Sequence, residues 1–171
     1  YRAAQKAGKK DLQARTSQKL PVEMPALDAI LEHVDISGEV PLGLVDIPTE
    51  LIVGTLSCGL ASSFAPNFMP ILGENTEFAA KWASLCDAHL KEGIRDPIVA
   101  YEYMNHYYIQ EGNKRVSVLK YFDAISIPGY VTRIIPARED TPESRIYYEF
   151  LDFYNATNIN YLFFSKEGSY A

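Results

Sequence analysis

Cysteine, long apolar runs and, over one long stretch, positive charge are all scarce in this chain. Its two cysteines, Cys58 and Cys86, have neither the spacing of a disulfide framework nor that of a metal site. We therefore expect each thiol to pack as a small apolar group in a reducing compartment. The apolar runs are only a few residues long, far short of the roughly 20 residues that a membrane helix needs. We expect no membrane span and no signal peptide, and hence a cytoplasmic protein.

Lysine and arginine are absent between Lys19 and Lys81. Residues 1–20 hold six basic residues and one acidic residue, so the rest of the chain carries 10 basic and 21 acidic residues, a net charge of -11. Proteins that clamp DNA gain affinity by neutralising backbone phosphates, so the acidic body disfavours DNA as a partner. The basic N-terminal segment is best explained as a solvated helix face.

The chain is long enough for one hydrophobic core with appended elements, because its 171 residues are 47% hydrophobic and 22% charged. We expect an N-terminal helical extension over 1–38, a central domain over 39–138, and a C-terminal helix and strand over 139–171. The sequence begins at Tyr1 and stops at Ala171, directly after a segment with a structured pattern. We expect it to be part of a longer protein, with 139–171 leading to a further domain.

Hydrophobic periodicity predicts a mixture of helices and strands. Apolar residues at helical spacing, with capping residues at several ends, predict helices over 2–18, 24–34, 75–91, 113–122 and 142–154, the first of them marginal and exposed. Residues rich in β-branched and aromatic side chains predict strands over 42–47, 51–53, 98–103, 106–110, 127–135 and 161–164. Residues 56–73 are predicted as a loop with apolar anchors. The fold class is therefore α+β.

The segment with the clearest chemical signature contains Glu111, Gly112, Asn113, Lys114 and Arg115, at a predicted turn from a strand into a helix. The first N–H groups of a helix have no intrahelical partner and carry partial positive charge, so a phosphate can accept hydrogen bonds from them. Gly112 allows close approach, Asn113 could cap the first turn, and the two cations add charge. The sequence therefore predicts an anion site here.

The sequence allows two interpretations for several polar residues. Lys114 and Arg115 could instead pair at the surface with Glu111 or Asp123. Asp96, Glu102 and Glu111 are candidates for a general base or a Mg²⁺ ligand, although Asp96 could equally be a turn residue before Pro97. Arg133 could reach the phosphate or face solvent. The three histidines lack the spacing of a zinc site or a catalytic triad, and we expect no resident metal.

Two short sequence motifs, called boxes below, resemble those of a known family. Gly93, Ile94, Arg95, Asp96, Pro97 and Ile98 precede a predicted hairpin, Gly112-x-x-Arg115 opens a helix, and Ile127-Pro128-x-x-Val131 follows. Over about residues 40–136 this order resembles the ParB/sulfiredoxin-like superfamily. The resemblance implies a small mixed sheet with packed helices. It also implies a nucleotide-phosphate site formed by Gly93–Pro97 and Gly112–Arg115, with Mg²⁺ accompanying the nucleotide.

A wider resemblance concerns the context of such a domain. The segments 40–48, 68–70 and 111–122 are similar to the N-terminal module of certain bacterial proteins, where it precedes a substrate-binding domain of the basic membrane protein type. This resemblance implies a bacterial protein with a covalently linked downstream domain, associated with an ABC transporter.

The residue at position 113 departs from the family pattern. Asn113 stands where sulfiredoxins have their catalytic cysteine and where ParB proteins have a glutamate, so neither sulfinic-acid chemistry nor CTP hydrolysis is expected. The form Glu111-Gly112-x-x-Arg115 fits the free-serine kinases of the superfamily somewhat better. Three hypotheses follow: a nucleotide-binding module with a sensory or regulatory role, an ATP- or ADP-dependent small-molecule kinase, and a DNA-partition or nuclease-like domain. The expected ligand is a nucleotide or a phosphorylated small molecule.

Overall fold

A computed structural model describes residues 1–171 and has the α+β class predicted from the sequence. Five strands form one mixed sheet, and six α-helices surround it. The strands are β1 (Ile36–Pro48), β2 (Ile52–Thr55), β3 (Ile98–Tyr103), β4 (His106–Glu111) and β5 (Ser126–Pro136). The helices are α1 (Arg2–Ser17), α2 (Leu27–Leu31), α3 (Cys58–Ala61), α4 (Glu77–Glu92), α5 (Asn113–Tyr121) and α6 (Pro142–Thr157).

The sheet has the strand order β1-β5-β3-β4-β2. β3 and β4 form the predicted hairpin, with Met104 and Asn105 at positive φ in its tight turn. β5 lies parallel to β3 and antiparallel to β1, and β2 lies parallel to β4. Because α5 connects β4 to β5, the N-terminus of this helix follows directly from the central hairpin.

The main hydrophobic core lies between one face of the sheet and α5. Val116 and Leu119 of the helix pack against Ile98, Ile109 and other inward-facing strand residues. On the same side, α4 is joined to α5 by a hydrogen bond of 2.8 Å from Trp82 Nε1 to Ser117 Oγ. Since both of these polar atoms belong to buried residues, the bond satisfies them where water has no access. The start of α5 is thus held by packing on two sides.

Two smaller clusters cover the rest of the sheet. Leu27 of α2 packs with Tyr108 and Ile134 on the opposite face. Tyr147 and Phe150 of α6 are buried as predicted from the spacing of apolar residues in that helix. Thr141 caps α6, because its Oγ1 accepts a hydrogen bond of 3.2 Å from Ser144 N.

The first helix is fixed on the core, which corrects the expectation of a marginal, exposed helix. Ala4 and Gly8 are buried, and a Cβ on Gly8 would lie 2.7 Å from the carbonyl oxygen of Pro70. Tyr1 Oη donates a hydrogen bond of 2.7 Å to the carbonyl oxygen of Leu72. The small residues that made the helix look weakly amphipathic are the ones that let it approach the backbone of 69–72.

Other predicted boundaries are also corrected. No strand forms over 161–164, where Tyr161, Leu162, Phe163 and Phe164 are exposed to between 38% and 69%. The helix expected over 24–34 is shortened to α2, because the chain before it is extended and forms a bridge from Ala26 to Thr55. The strand expected over 42–47 extends from Ile36, since β5 offers a partner along its whole length. No helix is long and apolar enough to cross a membrane.

Candidate functional site

The turn into α5 is built around Gly112. This residue has φ 97° and ψ 20°, a left-handed conformation that glycine adopts without steric cost. A Cβ here would lie 2.7 Å from Ile98 Cγ2 and within 3.2 Å of Nε and Nη2 of Arg115. Only glycine therefore fits this turn without displacing its neighbours, and the Arg115 guanidinium lies where a side chain would otherwise be.

Asn113 does not cap the helix, contrary to the sequence-based expectation. Because Gly112 takes the left-handed conformation, it is itself the N-cap, and Asn113 becomes the first helical residue. No side chain accepts a hydrogen bond from the first-turn amides of α5. Asn113 is only 8% exposed, and its Oδ1 has no hydrogen-bond partner. The helix therefore begins with its backbone donors unsatisfied and a buried polar atom unpaired.

Arg115 joins the two boxes predicted to face one another. Its Nη1 donates hydrogen bonds of 3.1 Å and 2.9 Å to the carbonyl oxygens of Asp96 and Pro97. No hydrogen bond within the chain uses Nε or Nη2 of Arg115, so two edges of the fork stay available for an oxyanion. The guanidinium is anchored at one nitrogen and free at the others.

Lys114 lies on the other side of the same turn. Its Nζ is 5.0 Å from the centroid of the Phe78 ring, a cation–π contact with α4. Neither Lys114 nor Arg115 forms an ion pair with Glu111 or Asp123, so the surface-pairing alternative is not realised. Both first-turn cations remain without a carboxylate partner.

The first box forms the loop between α4 and β3. Gly93 ends α4 with φ 79°, and Ile94 N donates a hydrogen bond of 3.2 Å to Nδ1 of His89. Arg95 and Asp96 are exposed and form no ion pair, while Pro97 is half-buried. Glu111, the last residue of β4, is exposed as well. Through Arg115, the structure places Asp96 and Pro97 beside the first turn of α5.

Glu102 and Arg133 do not belong to this turn. They are register partners on β3 and β5, exposed by only 1% and 3%, and form an ion pair of 2.7 Å. Glu102 also accepts hydrogen bonds from Tyr147 Oη and from Asn105 N. Burial, followed by the nearby Glu102 charge, raises the pKa of Tyr147 above its ordinary value. This carboxylate is buried and already paired, which disfavours it as a general base, and Arg133 is buried beside it and does not face solvent.

The sequence did not predict the role of a half-buried cation at the other end of α5. Lys120 Nζ donates hydrogen bonds of 2.9 Å to the carbonyl oxygens of Thr49 and Ile52. Burial lowers the pKa of Lys120 to about 8. Residue spacing could have indicated this position. Lys120 lies four residues after the buried Val116 and therefore on the core side of the helix.

The cysteines differ from each other. Cys86 is half-buried, but Cys58 is exposed, which contradicts the expectation that it packs as an apolar group. Its thiol donates a hydrogen bond of 3.4 Å to Asp28, and this bond raises the pKa of Cys58 above its ordinary value. The expectation failed because Cys58 begins α3, a helix that was not predicted within 56–73. None of the residues of α3 is buried.

Comparison with known proteins finds a structural similarity but no sequence match. No protein-family model matches the chain, and no curated protein matches its sequence. Among solved structures, the chain is similar to sulfiredoxin from Arabidopsis thaliana, with 19% identity and a TM-score of 0.37. The similarity covers 52% of this chain and 82% of the sulfiredoxin chain. The α+β class rests on the sheet and helices described above.

Proposed function

We propose that this chain is a nucleotide-binding module that holds the phosphates of its ligand at the start of α5 and has a sensory or regulatory role within a larger bacterial protein. The single observation that supports it most is the first turn of α5. There the backbone amides lack a cap, and Lys114 and Arg115 add two cations without carboxylate partners. A phosphate at this position would satisfy the amides and balance both charges.

The loop of the first box supports the same proposal. Arg115 is anchored by the carbonyl oxygens of Asp96 and Pro97, so its remaining donors are held in place before any ligand arrives. A preorganised guanidinium loses less entropy on binding than a mobile one. Arg95 is exposed on the same loop and supplies a further cation near the turn. The resemblance of both boxes to nucleotide-binding relatives points to the same residues.

We further propose that Mg²⁺ binds together with the nucleotide. Asp96 and Glu111 flank the turn with exposed carboxylates that form no ion pair. Mg²⁺ commonly takes only one or two carboxylates from the protein and its other ligands from phosphate oxygens and water. These two residues would hold the ion, which would neutralise phosphate charge.

The turn itself supplies no nucleophile, which disfavours covalent catalysis by this chain. Asn113 occupies the position of the reactive residue in the resembling families, and its amide cannot form a covalent intermediate of the kind a thiolate forms. Glu102, the buried acid among the earlier candidates, is held in the ion pair with Arg133. We therefore expect the ligand to leave chemically unchanged.

Calorimetry with ATP, ADP and inorganic phosphate, each with and without Mg²⁺, tests the proposal. We expect saturable binding that weakens roughly 10–100-fold in Arg115→Ala, because a charge-assisted hydrogen bond contributes about 1.5–3 kcal/mol. Arg138→Ala is a matched control, since Arg138 is exposed and stacks on Tyr148 away from the turn. The absence of binding by every nucleotide, or equal losses in both variants, would refute the proposal.

Product analysis of the same mixtures decides between a sensor and a kinase. Unchanged nucleotide after prolonged incubation with free serine and other hydroxyl compounds supports the regulatory module. Transfer of a phosphoryl group to an added hydroxyl compound would contradict it and favour the kinase hypothesis. Binding to duplex DNA with a steep dependence on salt would instead favour the DNA-partition hypothesis.

A further inference from the structure

A cavity lies at the end of α5 that is remote from the anion turn. It has a volume of about 620 Å³, within the range of small-molecule sites. The 3-10 turn after β1, the loop before β5 and the segment after α6 form its walls. The lining residues that carry the argument are Asp46, Thr49, Glu50, Ile125, Asn160 and Tyr161.

Hydrogen bonds fix the frame of this cavity. Thr49 N donates a bond of 3.0 Å to the carbonyl oxygen of Ile125, which joins the 3-10 turn to the loop before β5. Asn160 Nδ2 donates a bond of 3.3 Å to the carbonyl oxygen of Asp46. Lys120 Nζ holds the Thr49 carbonyl from the core side. Three separate segments are therefore tied together around the cavity.

The polar groups of the cavity are mostly hydrogen-bond acceptors. Asp46 and Glu50 are exposed carboxylates, and neither forms an ion pair. Thr49 is only 8% exposed, yet its Oγ1 has no hydrogen-bond partner. The Asn160 side chain donates to the main-chain oxygen of Asp46 and also interacts with the Tyr107 hydroxyl, so it belongs to the frame of the cavity. Lys120 bonds only to main-chain oxygens, so it does not pair with either carboxylate.

The remaining surface is apolar or aromatic. Ile125 is 90% exposed and Tyr161 is 69% exposed, so both offer apolar surface to a ligand. A ring next to carboxylates favours cations, because the ring face is electronegative. The volume is far larger than a bare metal ion, and the oxygen groups are few. A ligand that fits must donate hydrogen bonds, carry positive charge and have an apolar part.

We infer that this cavity binds a small organic ammonium ion, with the charged group between Asp46 and Glu50 and the apolar group against Ile125 and Tyr161. A primary ammonium has three N–H donors, which match two carboxylates and the unpaired Thr49 hydroxyl. This site is separate from the anion turn, so the inference does not depend on nucleotide binding.

Titration of the 171-residue chain with 2-phenylethylamine at pH 7, followed by amide NMR shifts, tests the inference. We expect saturable shifts at Thr49, Ile125 and Ser126, and none with 2-phenylethanol, which has the same ring and no charge. Asp46→Asn and Glu50→Gln should each weaken binding about tenfold, and Thr49→Val about threefold. Glu39→Gln removes an exposed carboxylate elsewhere on β1 and should leave affinity unchanged.

The outcomes against the inference are equally specific. Equal binding of the alcohol would show an apolar cleft without charge recognition. Shifts that do not saturate, or that persist unchanged in the Asp46→Asn, Glu50→Gln double variant, would also overturn it. Amide spectra of each variant away from the cavity report whether the fold is kept, and Thr49→Val is isosteric, so a folded chain with weakened binding remains obtainable.

Discussion

Three helices of this protein begin in two different ways. α4 and α6 each start after a threonine whose hydroxyl accepts a hydrogen bond from a first-turn amide, and each has a glutamate in that turn. α5 starts after Gly112, has no side-chain cap, and carries two cations in its first turn. The first two helices have a side-chain acceptor at their start, whereas α5 has none.

The difference separates local stability from recognition. A threonine cap and an early acid stabilise a helix wherever it lies, because they complement the unpaired amides and the helix dipole. At α5 the same two features are missing, yet the turn is tightly built, with Gly112 against Ile98 and Arg115 on the preceding loop. A firmly packed helix start that lacks its own acceptors is suited to an incoming anion.

Among the variants considered, substitution of Gly112 should lower the free energy of unfolding the most. Gly112→Ala adds left-handed strain and a Cβ 2.7 Å from Ile98 Cγ2, so we expect a loss of about 2–5 kcal/mol in the free energy of unfolding. Gly43→Ala is the matched control, because Gly43 also has positive φ but open space around it, and should cost only about 1–2 kcal/mol. Urea denaturation measures both. Equal losses would mean that packing at the turn contributes nothing.

The opposite end of α5 gives a pH test. The pKa of Lys120 is about 8 when folded, below its ordinary 10.5, so between these values the unfolded chain keeps a proton that the folded chain has released. Stability should therefore rise with pH in that window, by at most about 1.4 kcal/mol per pH unit for one proton. Tyr107, whose pKa burial raises to about 12, acts in the opposite direction above pH 10.

Comparison of the wild type with Lys120→Met between pH 8 and 10 isolates this contribution. The difference in unfolding free energy, wild type minus variant, should increase with pH in that range. A difference that is constant with pH would show that Lys120 keeps its ordinary pKa in the folded chain, and one that decreases with pH would show that folding raises this pKa.

Removal of a threonine cap should lower stability and leave anion binding intact. We expect Thr141→Ala to cost about 1 kcal/mol, because Ser144 N loses its acceptor. Nucleotide should still raise the melting temperature of this variant as much as that of the wild type, since ligand stabilisation depends only on the dissociation constant and the concentration. If nucleotide raised the melting temperature of Thr141→Ala less than that of the wild type, the cap of α6 would affect anion binding, contrary to this expectation.

The smallest effect is expected at Lys114. Its ammonium is partly exposed and contacts Phe78, so Lys114→Gln should weaken nucleotide binding only about two- to fivefold and change stability by less than about 0.5 kcal/mol. Calorimetry and thermal denaturation measure the two quantities. Lys166→Gln, at an exposed lysine in the segment after α6, serves as the control and should not alter affinity.

Much of the fold was predictable because local rules decide it. The hairpin of β3 and β4, the start of α6 after Thr141 and the stop of α4 at Gly93 all follow from alternation, capping residues or glycine. The expected strand over 161–164 was wrong for a non-local reason. Its aromatic residues pack on side chains of α6 and of the segment after it, as Phe163 does on Phe150, and none of them pairs with a strand.

The proximity of the two boxes was predictable, but the conformation and contacts of single residues were not. Gly112 and Arg115 lie together with Asp96 and Pro97 as the two boxes suggested. The role of Asn113 depends on the left-handed conformation of Gly112, which is imposed by packing against a strand. Likewise, the pairing of Glu102 with Arg133 arises from the parallel register of β3 and β5, and no spacing within either strand reveals it.

The pairing of β1 with β5 has a consequence for how the chain is made. These strands form the longest pairing in the sheet, from Ile36 with Pro136 to Pro48 with Ser126, although the hairpin, α4 and α5 lie between them in the chain. Contacts between such distant segments close slowly, since the entropy of the intervening loop is lost first. During synthesis β1 would emerge long before its partner and expose Ile36, Val40 and Leu44 without a neighbour. Its acidic residues Glu39 and Asp46 would then help to keep nascent chains apart until β5 arrives.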